Sequence, residues 1–98
     1  MSAYVDPLRP CIPNARWKYK EVSHLVADSV VELHKFAKLL GLRKGWFQDK
    51  AFTPHYDITR ERRSKAIEAG ALAVSTKELV WRIRKSRREY CQGTGRLT

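Results

Sequence analysis

Cysteine is scarce in this chain of 98 residues: only Cys11 and Cys91 occur, and no C-x-x-C spacing is present. A disulfide scaffold and a structural zinc finger are therefore not expected, whereas a reducing compartment is expected. No apolar run approaches the roughly 18 residues of a membrane span, and no basic segment followed by an apolar stretch marks a secretory signal. We therefore expect a cytoplasmic protein with no membrane partner.

Acidic residues are also few, with 10 Asp and Glu against 20 Lys and Arg, a net charge of +10 and a pI near 10.1. The excess is uneven, because residues 60–98 hold 11 cationic and 4 acidic side chains. This asymmetry predicts an anionic partner, of which nucleic acid or another polyanion is the commonest and an acidic protein surface the alternative. A purely solvated, soluble face is the simplest other explanation.

Familiar catalytic signatures are absent as well. The sequence has no H-E-x-x-H, no P-loop, no glycine-rich dinucleotide fingerprint and no nucleophile elbow. Instead, all three histidines lie within residues 23–71, together with other polar side chains that we consider one group: His24, Asp28, His34, Gln48, His55 and Asp57. If the chain has a catalytic site, we expect its residues to come from this polar group.

Three helices are predicted by their capping residues and apolar spacing. The predicted N-caps are Ser29, Thr59 and Ser75. The predicted helices span residues 30–40, 60–69 and 76–90. The first has an apolar stripe that should pack on a sheet, made of Val30, Leu33, Phe36, Ala37 and Leu40. Gly41 and Gly70 are expected to end the first two helices.

Short strands are predicted between the helices, and three prolines make residues 7–16 a loop. The predicted strands are residues 3–5, an edge strand over 17–20, and residues 46–48, 55–58 and 71–74. The fold class is α/β: a small single domain over residues 1–90, with a short mixed sheet of about four strands packed by three helices. Residues 91–98 are predicted to be a flexible tail. An α+β arrangement with an antiparallel hairpin over 46–58 is the alternative.

The candidate catalytic residues are His55, Asp57, Asp6 and His24. His55 and Asp57 share a strand face because side chains two apart in a strand point the same way. Asp6 ends another strand, so it could join them if the two strands are neighbours. Asp6 and Asp57 are the candidate ligands of a divalent metal ion that would activate water. In a metal-free version, a histidine would act as the general base. Local capping and bracing by these side chains is the simpler explanation.

Basic side chains near the starts and ends of the later helices are candidates for anion or nucleic-acid binding. They are Arg62, Arg63, Arg84, Lys85, Arg87 and Arg88. The first two lie one turn beyond Thr59, where a helix N-terminus also attracts anions. We expect a pocket or an anion site around this helix start, Asp6, His55 and Asp57.

Several segments together resemble a family of small bacterial and phage proteins, the domain of unknown function 4031. They are YVD, HLVAD, ELHKFAKLLGL, WFQ, HYDITRERR and AGA. The resemblance covers roughly residues 3–83 and implies a prokaryotic or phage setting without implying a mechanism.

Three hypotheses about function follow. The first is a small basic protein that binds nucleic acid, and the second is a metal-dependent or histidine-assisted nuclease or other phosphoesterase. The third is a phage-type interaction protein that modulates a host protein. Convergence of Asp6, His55 and Asp57 in space would favour the second.

Overall fold

A computed structural model describes residues 2–48 and 54–93, with side chains described as far as Arg84 in the last helix. The strands are β1 Ala3–Val5, β2 Arg9–Pro10, β3 Glu21–Ala27, β4 Phe47–Gln48, β5 His55–Ile58 and β6 Leu72–Ala73. The helices are α1 Val30–Leu39, α2 Arg60–Glu68 and α3 Thr76–Gly93, with a 3-10 turn at Lys44–Trp46.

The strands form one mixed sheet in the order β4-β5-β3-β1-β6, with β2 paired to β3 off this path. Among the described strands, only β1 and β6 run parallel; the other pairs are antiparallel, including the pair β4–β5. The predicted α/β class with a mixed sheet and three helices is thus confirmed. The sheet has six strands instead of about four, and it contains the antiparallel pairing of the alternative arrangement.

The central strand β3 was missed by the sequence patterns, which placed an edge strand over residues 17–20 instead. In the structure that segment is not a strand, and the sheet begins at Glu21. Trp17 donates from Nε1 to the carbonyl of Glu21 at 2.9 Å and stacks edge-on with Tyr19. The alternating aromatic and basic residues therefore lie in the segment that precedes β3 and do not form a strand of their own.

The helices begin and end close to their predicted limits. The side chains of Ser29 and Thr59 accept hydrogen bonds from the backbone N–H groups of Glu32 and Arg62, as N-caps do. Ser75 does the same for Glu78 at the start of α3. Gly41 follows α1 with a φ of 77°, a left-handed conformation that glycine adopts without strain.

The helix α3 extends to Gly93, three residues beyond its predicted end, so the start of the predicted tail is helical. The remainder of that tail lies outside the described residues. Among the described residues, no helix is long and apolar enough to cross a membrane.

The sheet has a different cover on each face. The larger core lies between the sheet and α1 with α2, and its fully buried side chains include Val5, Leu25, Leu33 and Ile58. The smaller core lies under α3 and consists of Tyr4, Val26 and Leu79, with Val74 and Ile83 packed against it. Each buried aliphatic side chain stabilises the fold by about 1.5–3 kcal/mol. On the α3 face, β3 and β5 also carry polar side chains beside the small core.

Candidate functional site

The register of the sheet brings three strand positions into one row. β3 pairs with β5 so that His24 lies opposite Asp57. β1 pairs with β3 so that Tyr4 lies opposite Val26, and the same register continued by two residues puts Asp6 beside His24. The backbone N–H of Asp6 accordingly donates to the carbonyl of His24 at 3.3 Å. Asp6, His24 and Asp57 therefore lie side by side on the α3 face.

Asp6 is a buried carboxylate, only 1% exposed. Its Oδ1 accepts hydrogen bonds from the His24 backbone N–H at 2.7 Å and from Ser23 Oγ at 3.0 Å. Its Oδ2 lies 2.9 Å from His24 Nδ1. Burial alone would raise the pKa of Asp6, but the hydrogen bonds and charge of His24, together with Ser23, lower it below its usual value. Asp6 is thus held as an anion behind His24.

The contact with Asp6 sets the orientation of the His24 ring. A carboxylate at Nδ1 favours the proton on that nitrogen, which leaves the lone pair on Nε2. His24 Nε2 lies 3.6 Å from Asp57 Oδ1. The His55 ring meets the His24 ring edge-on at 5.4 Å, and His55 Nε2 lies 3.5 Å from the same Asp57 oxygen. Two imidazole nitrogens therefore converge on one carboxylate oxygen.

Asp57 is held from its other side by β4. Gln48 Nε2 donates to Asp57 Oδ2 at 2.6 Å, which leaves Oδ1 facing the two histidines. Burial would raise the pKa of Asp57, but the close contacts with His55 and Gln48 and the charge of both histidines lower it. Because Gln48 fixes one oxygen, the direction of the other is set before any ligand arrives.

The spacing of the converging atoms fits a metal ion. His24, His55 and Asp57 each offer one ligand atom, and these atoms lie within 4.8 Å of one another. The two contacts to Asp57 Oδ1, at 3.5 and 3.6 Å, are longer than ordinary hydrogen bonds. A tetrahedral ion with nitrogen and oxygen ligands at roughly 2.1 Å separates neighbouring ligand atoms by about 3.4 Å. The two contacts to Asp57 thus have nearly the separation that such an ion requires, and the third separation is at most 4.8 Å.

This geometry corrects the predicted ligand pair of Asp6 and Asp57. Both oxygens of Asp6 are already engaged by Ser23 and His24, and the carboxylate is buried behind the imidazole. Asp6 therefore positions His24, while His24 and His55 take the place beside Asp57 that the prediction gave to Asp6. Carboxylates commonly support metal-binding histidines in this way.

The two arginines predicted to hold an anion have backbone partners instead. Arg62 Nη1 donates to the carbonyl of Leu40 at the C-terminus of α1, at 3.0 Å. Arg63 Nε donates to the carbonyl of Asp6 at 2.8 Å, so it braces the end of β1 beside the cluster. The helix α2 itself packs on the α1 face through Ala66, opposite the face that carries His55 and Asp57. An anion site shared by the start of α2, His55 and Asp57 stays a prediction.

The remaining predicted residues are dispersed. His34 lies on the α1 face, where its Nδ1 is 2.9 Å from the Tyr56 hydroxyl. Asp28 accepts from the Ser2 backbone N–H and the Tyr4 hydroxyl. Arg84 is exposed on α3, and the side chains of Lys85, Arg87 and Arg88 lie outside the described residues. Two shallow concavities of the described residues lie along α3 and between α1 and the end of α2. The pocket predicted around Asp6, His55 and Asp57 stays a prediction.

The sequence patterns did not single out two residues, Ser23 beside Asp6 and Trp81 on the surface of α3. Ser23 supports Asp6 from within β3, a strand that the patterns did not reveal. Trp81 is 53% exposed on α3, and its helical spacing from Leu79 and Ile83 could have marked it as lying off the buried side.

The described residues form a small α/β domain in which two histidines and one carboxylate lie together on the α3 face of the sheet. The model of the family described as a protein of unknown function, DUF4031, matches residues 3–86, and the chain belongs to this family. Searches of curated proteins and of solved structures found no match.

Proposed function

We propose that this protein is a metal-dependent phosphoesterase that acts on nucleic acid. The observation that carries the proposal is the convergence of His24 Nε2, His55 Nε2 and Asp57 Oδ1. Two histidines and one carboxylate are the protein ligands of several hydrolytic zinc centres, which keep a further position open for water. We define these three residues, with Asp6, as the His-Asp cluster.

The surroundings support a catalytic centre over a closed structural one. The side chains of His24 and Asp57 remain 30% and 27% exposed, so substrate can reach them. Asp6 and Gln48 hold the imidazole and the carboxylate from behind, which lowers the cost of ordering them around an ion. A structural zinc site usually has four protein ligands. Three ligands on an accessible face fit the open, catalytic type.

The chemistry supplied by a bound divalent ion is a water of lowered pKa and a Lewis acid for a phosphoryl oxygen. Water adds its oxygen to phosphorus, the bond from phosphorus to the leaving oxygen breaks, and the proton lost by water balances the one gained by the leaving alcohol. The contribution of this chain is to orient the ligands: Asp6 keeps the proton on His24 Nδ1, and Gln48 aims Asp57. Arg63, bound to the carbonyl of Asp6, keeps the end of β1 in place.

The charge of the chain supports nucleic acid as the substrate class. A net charge of +10 attracts polyanions and accelerates their encounter with the protein. The same property supports a second function, binding of nucleic acid without hydrolysis. An exposed tryptophan on the basic helix α3 favours that function independently of the cluster.

The test measures hydrolysis of bis(p-nitrophenyl) phosphate and of a labelled oligonucleotide by tag-free protein. Protein stripped by a chelator should be inactive and should regain activity with Zn²⁺, Mn²⁺ or Co²⁺. His55→Gln should remove the activity, whereas His34→Gln, the same exchange on the opposite face, should retain it once circular dichroism has verified its fold.

Four results would overturn the proposal. Chelator-resistant hydrolysis that His24→Gln abolishes would indicate metal-free catalysis by histidine. Selective binding of ferrous iron with oxygen uptake would indicate redox chemistry, which uses the same ligand set in other proteins. Nucleic-acid binding with no hydrolysis under any metal would leave the second function, and tight capture of an acidic protein instead would favour an interaction protein.

A further inference from the structure

The first turns of α3 present an exposed aromatic ring among cations. Trp81 is 53% exposed and lines a concavity together with Ser75, Lys77, Glu78 and Arg82. Lys77 and Arg84 are exposed, and they lie four residues before and three after Trp81. Residues at these spacings lie on one side of a helix. We call Lys77, Trp81 and Arg84 the α3 stripe.

The ring of Trp81 is supported by a fixed neighbour. The guanidinium of Arg82 lies 4.8 Å from the Trp81 ring centroid and 4.5 Å from that of Tyr4. Arg82 Nε also donates to Glu78 Oε2 at 2.8 Å. This pairing occupies the single carboxylate of residues 76–84, so the net charge of the segment is carried by Lys77 and Arg84. The carboxylate therefore does not offset the attraction of the stripe for phosphate.

We propose that the α3 stripe binds single-stranded nucleic acid, with an unpaired base stacked on Trp81 and neighbouring phosphates bound by Lys77 and Arg84. Exposed aromatic rings beside cations are the usual means of holding single strands, because every base has a face that can stack. A duplex hides those faces, so a single strand is the better match. The positive charge of the segment argues for a polyanion over an apolar partner.

The helix α3 packs on the same face of the sheet that carries the His-Asp cluster. Leu79 and Ile83 pack α3 on Tyr4 and Val26, on the face of the sheet that carries His24 and Asp57. Val26 lies two residues beyond His24 in β3, so both project on this face. The identification of a single strand as the substrate rests on the proposed phosphoesterase function. Binding of the strand to the stripe can be measured separately, without metal and without turnover.

The experiment measures fluorescence anisotropy of a labelled oligodeoxythymidylate in the presence of a chelator. Trp81→Ala should weaken binding by roughly tenfold or more, the size expected from losing one base-stacking contact. The matched control is Trp46→Ala, because Trp46 is 46% exposed and also has an arginine, Arg43, 5.6 Å from its ring. Trp81→Phe should restore most of the affinity, and the control should bind like the unaltered protein.

Salt and competitor measurements complete the test. Lys77→Gln and Arg84→Gln should each reduce the slope of log affinity against log salt by about 0.7, one phosphate contact on a single strand. The inference would be overturned if Trp81→Ala left the affinity for the oligonucleotide unchanged, or if Trp81→Ala and Trp46→Ala reduced it equally. It would also be overturned if the protein bound duplex DNA or poly-glutamate as tightly as the single strand. Intact binding without hydrolysis would refute the phosphoesterase proposal but not the binding proposal for the α3 stripe. Failure of one proposal can therefore be distinguished from failure of the other.

Discussion

The two faces of the sheet use histidine in opposite ways. On the α1 face, His34 lies against the Phe47 ring at 4.5 Å and the Tyr56 hydroxyl, and burial with the nearby Lys44 lowers its pKa. On the α3 face, His24 and His55 converge on carboxylates instead. A histidine packed among aromatic rings is kept neutral and fills space, whereas one held by a buried carboxylate has a fixed tautomer and an aimed lone pair.

This difference shows why the site lies where it does. The α1 face carries the larger core, so more of the apolar stabilisation is expected from that face. The α3 face has a small apolar cluster, so it can hold a polar row without losing the main core. We therefore expect substitutions on the α1 face to change unfolding, and substitutions in the row to change ligand binding.

The largest stability effect should come from the α1 face. Leu33 is fully buried, and Leu33→Ala should lower the free energy of unfolding by about 2–5 kcal/mol through lost transfer energy and a cavity. Chemical denaturation measures this change. Leu79→Ala on the α3 face is the comparison, and we expect a smaller loss because its cluster is smaller. If Leu79→Ala lowered the free energy of unfolding more than Leu33→Ala, the α3 face would be the more stabilising of the two.

Asp6→Asn should have an intermediate effect on stability. The buried amide cannot accept the hydrogen bonds of Ser23 and His24 equally well, so we expect a loss of about 1–3 kcal/mol. It should also weaken metal binding by roughly 10–100-fold, because His24 loses its orienting partner. Denaturation and metal titration are measured on the same samples. A destabilised variant with unchanged metal affinity would show that Asp6 does not position His24.

A smaller effect is expected from Arg62→Ala. Arg62 donates to the Leu40 carbonyl at the end of α1, and losing this hydrogen bond should cost about 1 kcal/mol of unfolding free energy. Lys65→Ala, an exposed cation in the same helix, is the control and should leave stability unchanged. If Arg62→Ala instead reduced oligonucleotide affinity more than Lys65→Ala at equal stability, Arg62 would be an anion-binding residue, as the sequence predicted.

The smallest effect should be the pH dependence due to His34. Its pKa in the folded state lies below its ordinary value of 6.5, so the unfolded chain binds more protons and acid favours unfolding. The contribution is present above pH 6.5 and is lost as the pH falls through the lower folded pKa. Thermal melts across this range should show a decline that His34→Gln reduces. A decline of equal size in that variant would assign the effect to other groups.

Local features of this fold could be predicted from the sequence, because they depend on neighbouring residues. Ser29 and Thr59 mark helix starts, Gly41 marks a helix end, and the alternation in residues 55–58 marks β5. The strand β3 was missed because both of its faces are covered along Leu25–Ala27, where burial is continuous and no alternation remains. A fully buried strand beside a polar segment gives little periodic signal.

The candidate site could be predicted only in part, for a related reason. Asp6, His55 and Asp57 could be identified at strand ends or on a shared strand face. Their relation to His24 depends on the pairing of β3 with β1 and β5, which is set by contacts distant in sequence. The role of Asp6 as a support for His24, in place of a metal ligand, follows only from that pairing.

The central claim is that His24, His55 and Asp57 bind one divalent metal ion. The most direct measurement is titration of tag-free, chelator-treated protein with Co²⁺, followed by visible absorption, and with Zn²⁺, followed by calorimetry. We predict one ion per chain, with binding lost in His24→Gln, His55→Gln and Asp57→Asn and retained in folded His34→Gln. No stoichiometric binding, or binding that survives all three substitutions in the cluster, would contradict the claim.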